Sequence, residues 1–537
     1  MTNQNNQNNN PEPPQMPMMP PPMPPRGQWM NGRMGERMNG GWKMKNVFPK
    51  WVTQYGVVVY LLAFAVVSFM YSAHSMPWYY MLAGLVSVGL MFLYGSNITS
   101  NLSIVKLRRE KVFEQRIFWV AFALRVVWMI LIYAIFMQNY GDAFGFENAD
   151  ALYYDALGQH VSKLIRDGNF HFFEEIKKFS GHDDIADMGY GIYVGFVYAL
   201  TGSEGMSTSY GIGGDSLSIM TVRLLKCAWS TFTVVLIYRL AKRNFDEQTA
   251  RVAAIICALW PNFWYYSGCH LKETEMTFLA VLFVEQADQM LRSRQFTAWK
   301  VAPVLLIGAS IFTFRTPLAL VAFLALLFSV VMSSSRVVNW GKRIIVGLLA
   351  FLLIGVTMGN RIEEQSKELI EKARGQSQEK NMEWRSRREH GNAFAKYAGK
   401  SVFAPLIFTI PFPTMVKPFD GQDQQQLLNG GNFIKNIISG FTIFAMLMLL
   451  ISGKWRDHLL PLSFMLGYLV VLTMSEFAQS ERFHQPVMPI EFMFAAYGLS
   501  MALTKAKYKR WFMYWCGLMF VACIAWNWFK LAGRGLA

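Results

Sequence analysis

The chain has 537 residues, of which 53% are hydrophobic, 15% aromatic and only 16% charged. Soluble proteins carry roughly 25% charged residues, so this composition excludes an ordinary soluble enzyme and points to an all-α polytopic membrane protein. The formal net charge of +16 does not make a nucleic-acid binder, because the basic residues gather in short connectors between apolar runs, where they report membrane orientation.

Residues 1–46 are rich in Asn, Gln, Pro, Met and Gly and are expected to form a disordered cytoplasmic tail. The first apolar run begins only near Val52, so the first span is read as an uncleaved anchor rather than a signal peptide. Residues 47–116 hold two transmembrane helices, with apolar runs near Tyr55 to Ser72 and Pro77 to Ile98. Arg26, Arg33, Arg37, Lys43, Lys45 and Lys50 precede the first, and Lys106, Arg108, Arg109, Lys111 and Arg116 follow the second, placing both flanks inside. The sequon Asn97-Ile-Thr99 falls on that inner side and is read as a chance match.

A third span, Ile117 to Met137, opens a transmembrane core over residues 117–359. It delivers the loop 138–188 to the outside, with Asp142, Glu147, Asp150, Asp155 and Asp167 among its acids. Apolar residues at Tyr153, Leu157, Val161 and Leu164 predict an amphipathic helix there, capped by Asn148 or Asp150. Helical geometry sets Asp150 near the apolar stripe and turns Asp155 by about 140°, towards a polar face with Gln159 and Ser162. Asp150 is thus expected to look into the bundle, desolvated and suited to a general base. Asp142 is the second candidate, and Glu147 and Asp155 are expected to be solvated.

Gly189 to Thr201 is apolar but too short to cross fully, and is read as a dipping or tilted element. Beyond it, the basic connectors fall where alternation needs inner turns. The outer face then also collects the turn Gly268 to Glu273, a hydrophilic and re-entrant segment over residues 360–430, and the turn Ser475 to His484. Residues 431–537 supply the C-terminal transmembrane helices. Convergent polar groups at one end of a bundle make the default pocket hypothesis.

In the second outer turn, Lys272 can hold a phosphate as a point charge and Glu273 can orient it or meet sugar hydroxyls. Arg315 interrupts apolar sequence at the end of a span, where an arginine marks a partner, a pathway or snorkelling to head groups. Arg482 offers a planar fork for phosphate. His484 is a further phosphate donor or a structural imidazole. Metal-binding spacings such as HExxH are missing, so no metal ligands are assigned, and a divalent cation held by outer acids is left as an open alternative. The five cysteines, at 227, 257, 269, 516 and 523, show no CxxC or paired framework and are read as packing residues.

Four motifs occur in order: Asp-Ala-x-x-Tyr-Asp-x-Leu-Gly from Asp150, Trp-Pro-x6-Gly-x3-Lys-Glu from Trp260, the isolated Arg315, and Arg-Phe-x3-Val-x-Pro from Arg482. Together, over roughly Phe118 to Leu503, they resemble the bacterial membrane glycosyltransferases of the GT-C fold, and are similar to the protein-mannosyltransferase-like group (glycosyltransferase family 39-like) that includes the aminoarabinose transferases. The resemblance implies a GT-C-like helical bundle, a polyprenyl-phosphate-linked sugar as donor, a lipid, glycan or protein acceptor, and inversion at the anomeric carbon. It implies Asp150 as base with Asp142 as fallback, and Lys272, Arg315 and Arg482 on the donor phosphate, with Glu273 nearby; Tyr154 and His484 are further candidates for substrate contact. The eukaryotic members carry an Asp-Glu pair where this chain has Gly141-Asp142. A bacterial inner membrane, with the site outside and the N-terminus inside, is the implied setting. Competing readings are a lipid-linked glycan polymerase or ligase, a transporter or flippase, and a scaffold.

Overall fold

The computed structural model describes residues 50–94, 110–145, 148–180, 188–203, 205–208, 211–293, 297–334, 337–338, 341, 406–417, 424–475, 478, 480–502 and 507–532. All of them belong to the larger of two compact units, Lys45–Ala537. The N-terminal tail, the sequon at Asn97, Glu147, His182 to Asp184 and the charged stretch 360–400 lie outside the described residues.

In chain order, α1 is Lys50–Met70, α2 Trp78–Gly89 with a π turn over Leu90–Tyr94, and α3 Glu110–Tyr140. The loop helices are α4 Asn148–Arg166 and α5 Phe172–Ser180, followed by α6 Met188–Thr201. A small hairpin, β1 Met206–Thr208 with β2 Gly211–Gly213, precedes α7 Ser216–Asn244, α8 Glu247–Leu259, α9 Pro261–Gly268 and α10 Glu273–Arg292. Then come α11 Ala298–Phe314, α12 Thr316–Met332, α13 Gln424–Leu427, α14 Asn429–Ile451, α15 Leu459–Met474, α16 Glu481–His484, α17 Met488–Ala502 and α18 Lys507–Ala532.

Six helices among the described residues are long and apolar enough to cross a membrane, and shorter apolar helices accompany them. The chain is a polytopic helical membrane protein. Burial separates its centre from its rim. The apolar windows of α7 and α14 are 61% and 67% buried, against 33%, 28% and 33% for α1, α3 and α18. The rim helices carry exposed side chains such as Phe69, Trp119, Leu131 and Val521, as lipid-facing helices do. At the centre, α7 packs on α3, α8 and α10, while α14 packs on α17.

Helix boundaries follow local chemistry. Asp215 caps α7 by accepting from Ser218 N at 2.7 Å, and Asp246 caps α8 by accepting from Thr249 N at 2.7 Å. Pro261 begins α9 in the first helical position, where its missing N–H leaves no gap. The hairpin pairs Met206 with Gly213 and Thr208 with Gly211. It is a small addition to an otherwise helical fold, in a Gly-rich stretch that lacks any helical apolar period.

The short α6 has 14 residues, about 21 Å at 1.5 Å per residue, which falls short of a crossing. It lies instead along α4. Glycines set that approach: a Cβ on Gly158 would meet Val194 at 2.3 Å, and one on Gly195 would meet Val161 at 2.5 Å. Gly191 and Gly195 form a small-xxx-small face of the kind that lets membrane helices touch closely.

Candidate active site

At one end of the bundle the starts of α4, α10, α12 and α16 meet. Arg482 is the joint. Its Nη1 donates to Asp150 Oδ2 at 2.5 Å and its Nε donates to Glu273 Oε1 at 2.5 Å. Charge-assisted bonds of this kind are about twice as strong as neutral ones. The Arg482 guanidinium also lies 5.9 Å from the Phe483 ring, and Arg315 covers the same ring at 4.2 Å.

Lys272 lies beneath this layer, 4% exposed. Its Nζ is 3.5 Å from Phe314 O, one residue before Arg315, and 5.7 Å from the centre of the Tyr154 ring. Burial lowers its pKa to about 7; Glu273 and Asp150 oppose the fall, while Arg315 and Arg482 add to it. Tyr154 is buried, and its hydroxyl is held neutral chiefly by burial, with Glu273 and Asp150 reinforcing and Arg482 opposing. The structure therefore brings Asp150, Glu273, Lys272, Arg315, Arg482 and Tyr154 together from four separate stretches of chain. Three cations face two carboxylates, leaving a positive surplus suited to phosphate.

Two expectations on α4 are corrected. Asp150 is not desolvated: its side chain is 53% exposed. Asp155 is the buried carboxylate, because α6 and the hairpin cover the face of α4 that periodicity alone assigns to solvent. Tyr198 donates to Asp155 Oδ1 at 2.5 Å, and Gly214 N donates to both carboxylate oxygens at 3.1 Å. Burial raises the Asp155 pKa to about 6, with the Tyr198 and Gly214 bonds and the Arg223 charge opposing. Gln159 and Ser162, expected on a wet face, are buried beside it.

Asp142 closes a local turn, its Oδ1 accepting from Phe144 N at 2.7 Å and Gly145 N at 2.8 Å; it is not among the residues that touch Arg482. His484 is also corrected. Its Nε2 donates to Ala478 O at 2.9 Å, which leaves Nδ1 to accept from Lys435 at 2.9 Å. Neither ring nitrogen is left for a ligand, so His484 is a structural imidazole. Among the described residues no group of three or more His, Cys, Asp or Glu could hold a metal ion.

Sequence reasoning missed a second polar layer behind Tyr154. Lys226 on α7 donates to Glu275 Oε2 at 2.8 Å and caps the Leu271 carbonyl. His270 packs edge-on to Phe144 and Tyr190, with centroids 5.7 and 6.0 Å away. Arg223 lies one turn before Lys226 on the same helix face and is fully buried. The available signal was the i, i+3 pair of cations interrupting an otherwise apolar span.

Residues 206–358, which include Lys272, Glu273 and Arg315, match the family model described as dolichyl-phosphate-mannose-protein mannosyltransferase. No curated protein matches the chain. Among solved structures, it is similar to the archaeal oligosaccharyltransferase AglB from Archaeoglobus fulgidus in complex with an inhibitory peptide and a dolichol-phosphate, at 12% identity and a TM-score of 0.42, covering 79% of this chain and 56% of that one. A second structure of an oligosaccharyltransferase from Archaeoglobus fulgidus, tethered to an acceptor peptide, gives 13% identity and a TM-score of 0.41, with 79% and 55% covered. The chain thus spans little more than half the length of these enzymes.

Proposed function

We propose that this protein is a membrane glycosyltransferase that moves a sugar from a polyprenyl-phosphate donor to an acceptor at the extracytoplasmic face, with inversion at the anomeric carbon. One observation carries the reading: Arg482 joins a carboxylate of the loop helix, Asp150, to a buried carboxylate of the core, Glu273. Such a junction has the parts a phosphate-leaving-group transfer needs. The partial match to a mannosyltransferase family model supports the same class.

In this reading Lys272, Arg315 and Arg482 receive the donor phosphate, whose negative charge grows as the bond to the sugar breaks, so the cations act most strongly in the transition state. The phosphate competes with Asp150 for Arg482. Once released, Asp150 takes the proton of the acceptor hydroxyl or amine as that atom attacks the anomeric carbon from the face opposite the phosphate. Glu273 keeps Arg482 in place throughout. Tyr154 roofs Lys272 and excludes water from it.

The test is transfer by purified protein in lipid, with a polyprenyl-phosphate sugar as donor. Asp150→Asn should lose at least about a hundred-fold in rate, the usual worth of a general base, with an unchanged melting temperature. Full activity in that variant would remove the mechanism.

A further inference from the structure

Two arginines among the described residues are wholly buried, and they are served very differently. Arg125 on α3 donates to Ser230 Oγ at 2.7 Å, Ala121 O at 3.0 Å, Cys257 O at 3.2 Å and Ala258 O at 3.3 Å. It is a satisfied structural cross-link. Arg223 makes one hydrogen bond, from Nη2 to Ala143 O, and its Nε and Nη1 have no hydrogen-bond partner. The Tyr133 ring lies 5.6 Å from its charge. A buried guanidinium with two nitrogens left without a hydrogen-bond partner is costly, and proteins keep such a group where a ligand completes it.

The surroundings specify that ligand. His270 is 1% exposed, and neither of its ring nitrogens has a hydrogen-bond partner; the same holds for the buried Tyr190 hydroxyl. Tyr190 and His270 are in ring contact at 6.0 Å, and Tyr198 stacks on His270 at 6.4 Å. Donors are therefore available from Arg223, His270 and Tyr190, and aromatic faces surround them. Of the neighbouring carboxylates, Glu275 pairs with Lys226 through Oε2 at 2.8 Å while its Oε1 has no hydrogen-bond partner, and Asp155 accepts from Tyr198 at 2.5 Å. Neither carboxylate hydrogen-bonds Arg223.

We infer that Arg223, His270 and Tyr190 form a binding site for the carboxylate of an acidic sugar, a uronic acid, as the glycosyl group that this protein handles. The inference rests on the proposed function for the word sugar. Tyr154 lies between the two clusters, its ring 5.0 Å from that of Tyr190 and 5.7 Å from the Lys272 charge. A monosaccharide whose phosphate end sits at Lys272 and Arg482 would turn its far end past Tyr154 towards Arg223. Aromatic rings against sugar C–H faces, with a cation for the acid group, are the expected recognition chemistry.

The experiment is thermal melting of the full-length protein in lipid nanodiscs, titrated separately with glucuronate, galacturonate, glucose, formate and polyprenyl phosphate. A uronate should raise the wild-type melting temperature by a few degrees through mass action, glucose and formate should not, and Arg223→Gln should erase the effect. Without ligand, Arg223→Gln should melt no lower than wild type, because it removes a buried charge whose Nε and Nη1 are unpartnered. His270→Phe and Tyr190→Phe keep the arginine and should weaken uronate binding several-fold. Three outcomes overturn the proposal: no uronate effect, an equal effect of formate or glucose, or a ligand-free Arg223→Gln protein that has lost several degrees. Arg482→Ala should abolish the polyprenyl phosphate effect while sparing the uronate effect, so the two readings fail separately.

Discussion

Asp150 and Asp155 stand on one helix and meet opposite environments, and each makes a measurable prediction. The folded Asp155 carboxyl keeps its proton up to a pH of about 6, whereas its ordinary pKa is 3.8. Its contribution to stability is therefore fully present below pH 3.8 and is lost as the pH rises through about 6, a difference worth about 3 kcal/mol. Melting temperature should fall across that window in the wild-type protein, and Asp155→Asn should flatten the fall; an unchanged profile would show that Asp155 does not titrate there. Lys272 carries the complementary prediction. With its pKa lowered to about 7, much of it is neutral in mildly alkaline solution, and a docked phosphate restores the charge. Donor binding should take up a proton above pH 7, measurable by calorimetry in buffers of different ionisation enthalpy. Lys272→Arg, whose charge is permanent, should abolish that uptake.

At the scale of elements, α4 and α6 act as one plate that carries Asp150 to Arg482. Gly158→Ala places a methyl 2.3 Å from Val194 and should destabilise by about 1–3 kcal/mol, the usual range for overpacking, while lowering transfer more than Asp155→Asn does. Wild-type activity and stability in Gly158→Ala would mean that the plate yields freely. The existence of α4 and the meeting of Asp150, Lys272, Glu273, Arg315 and Arg482 were legible in the sequence, because apolar period and motif order survive without coordinates. What covers each face of α4 was not legible. Periodicity distinguishes an apolar side from a polar one but cannot say that a glycine-lined helix and a hairpin will seal the polar side, so Asp155 and Asp150 were assigned the wrong exposures. For His484 the sequence left a phosphate donor and a structural imidazole open, because the partner that decides it, Lys435, lies in a distant span. Arg223 and Lys226 were overlooked because charge in a span was weighed only near its ends.

At the scale of the whole molecule, a second network of charges stands away from the site. Opposite the Arg482 junction, Arg243 bonds Glu285 and pairs with Asp288 at 3.1 Å, while Arg292 joins Asp288 at 2.9 Å and Asp457 O at 2.6 Å. This network ties α7, α10 and the turn before α15 into a rigid base, so movement on binding should fall on the α4–α6 plate instead. The proposed sidedness can be checked directly, because the described cysteines, all five in the chain, are buried and should give little background. A cysteine at exposed Asp167 should react with an impermeant maleimide in intact cells, and one at exposed Lys454 only after the membrane is opened; the reverse pattern would invert the topology. The Arg482 junction has one more consequence. Its members are spread from Asp150 to Arg482, so a growing polypeptide that has passed the acid must add more than three hundred further residues, roughly Asp150 to Arg482, before the guanidinium that pairs with it exists.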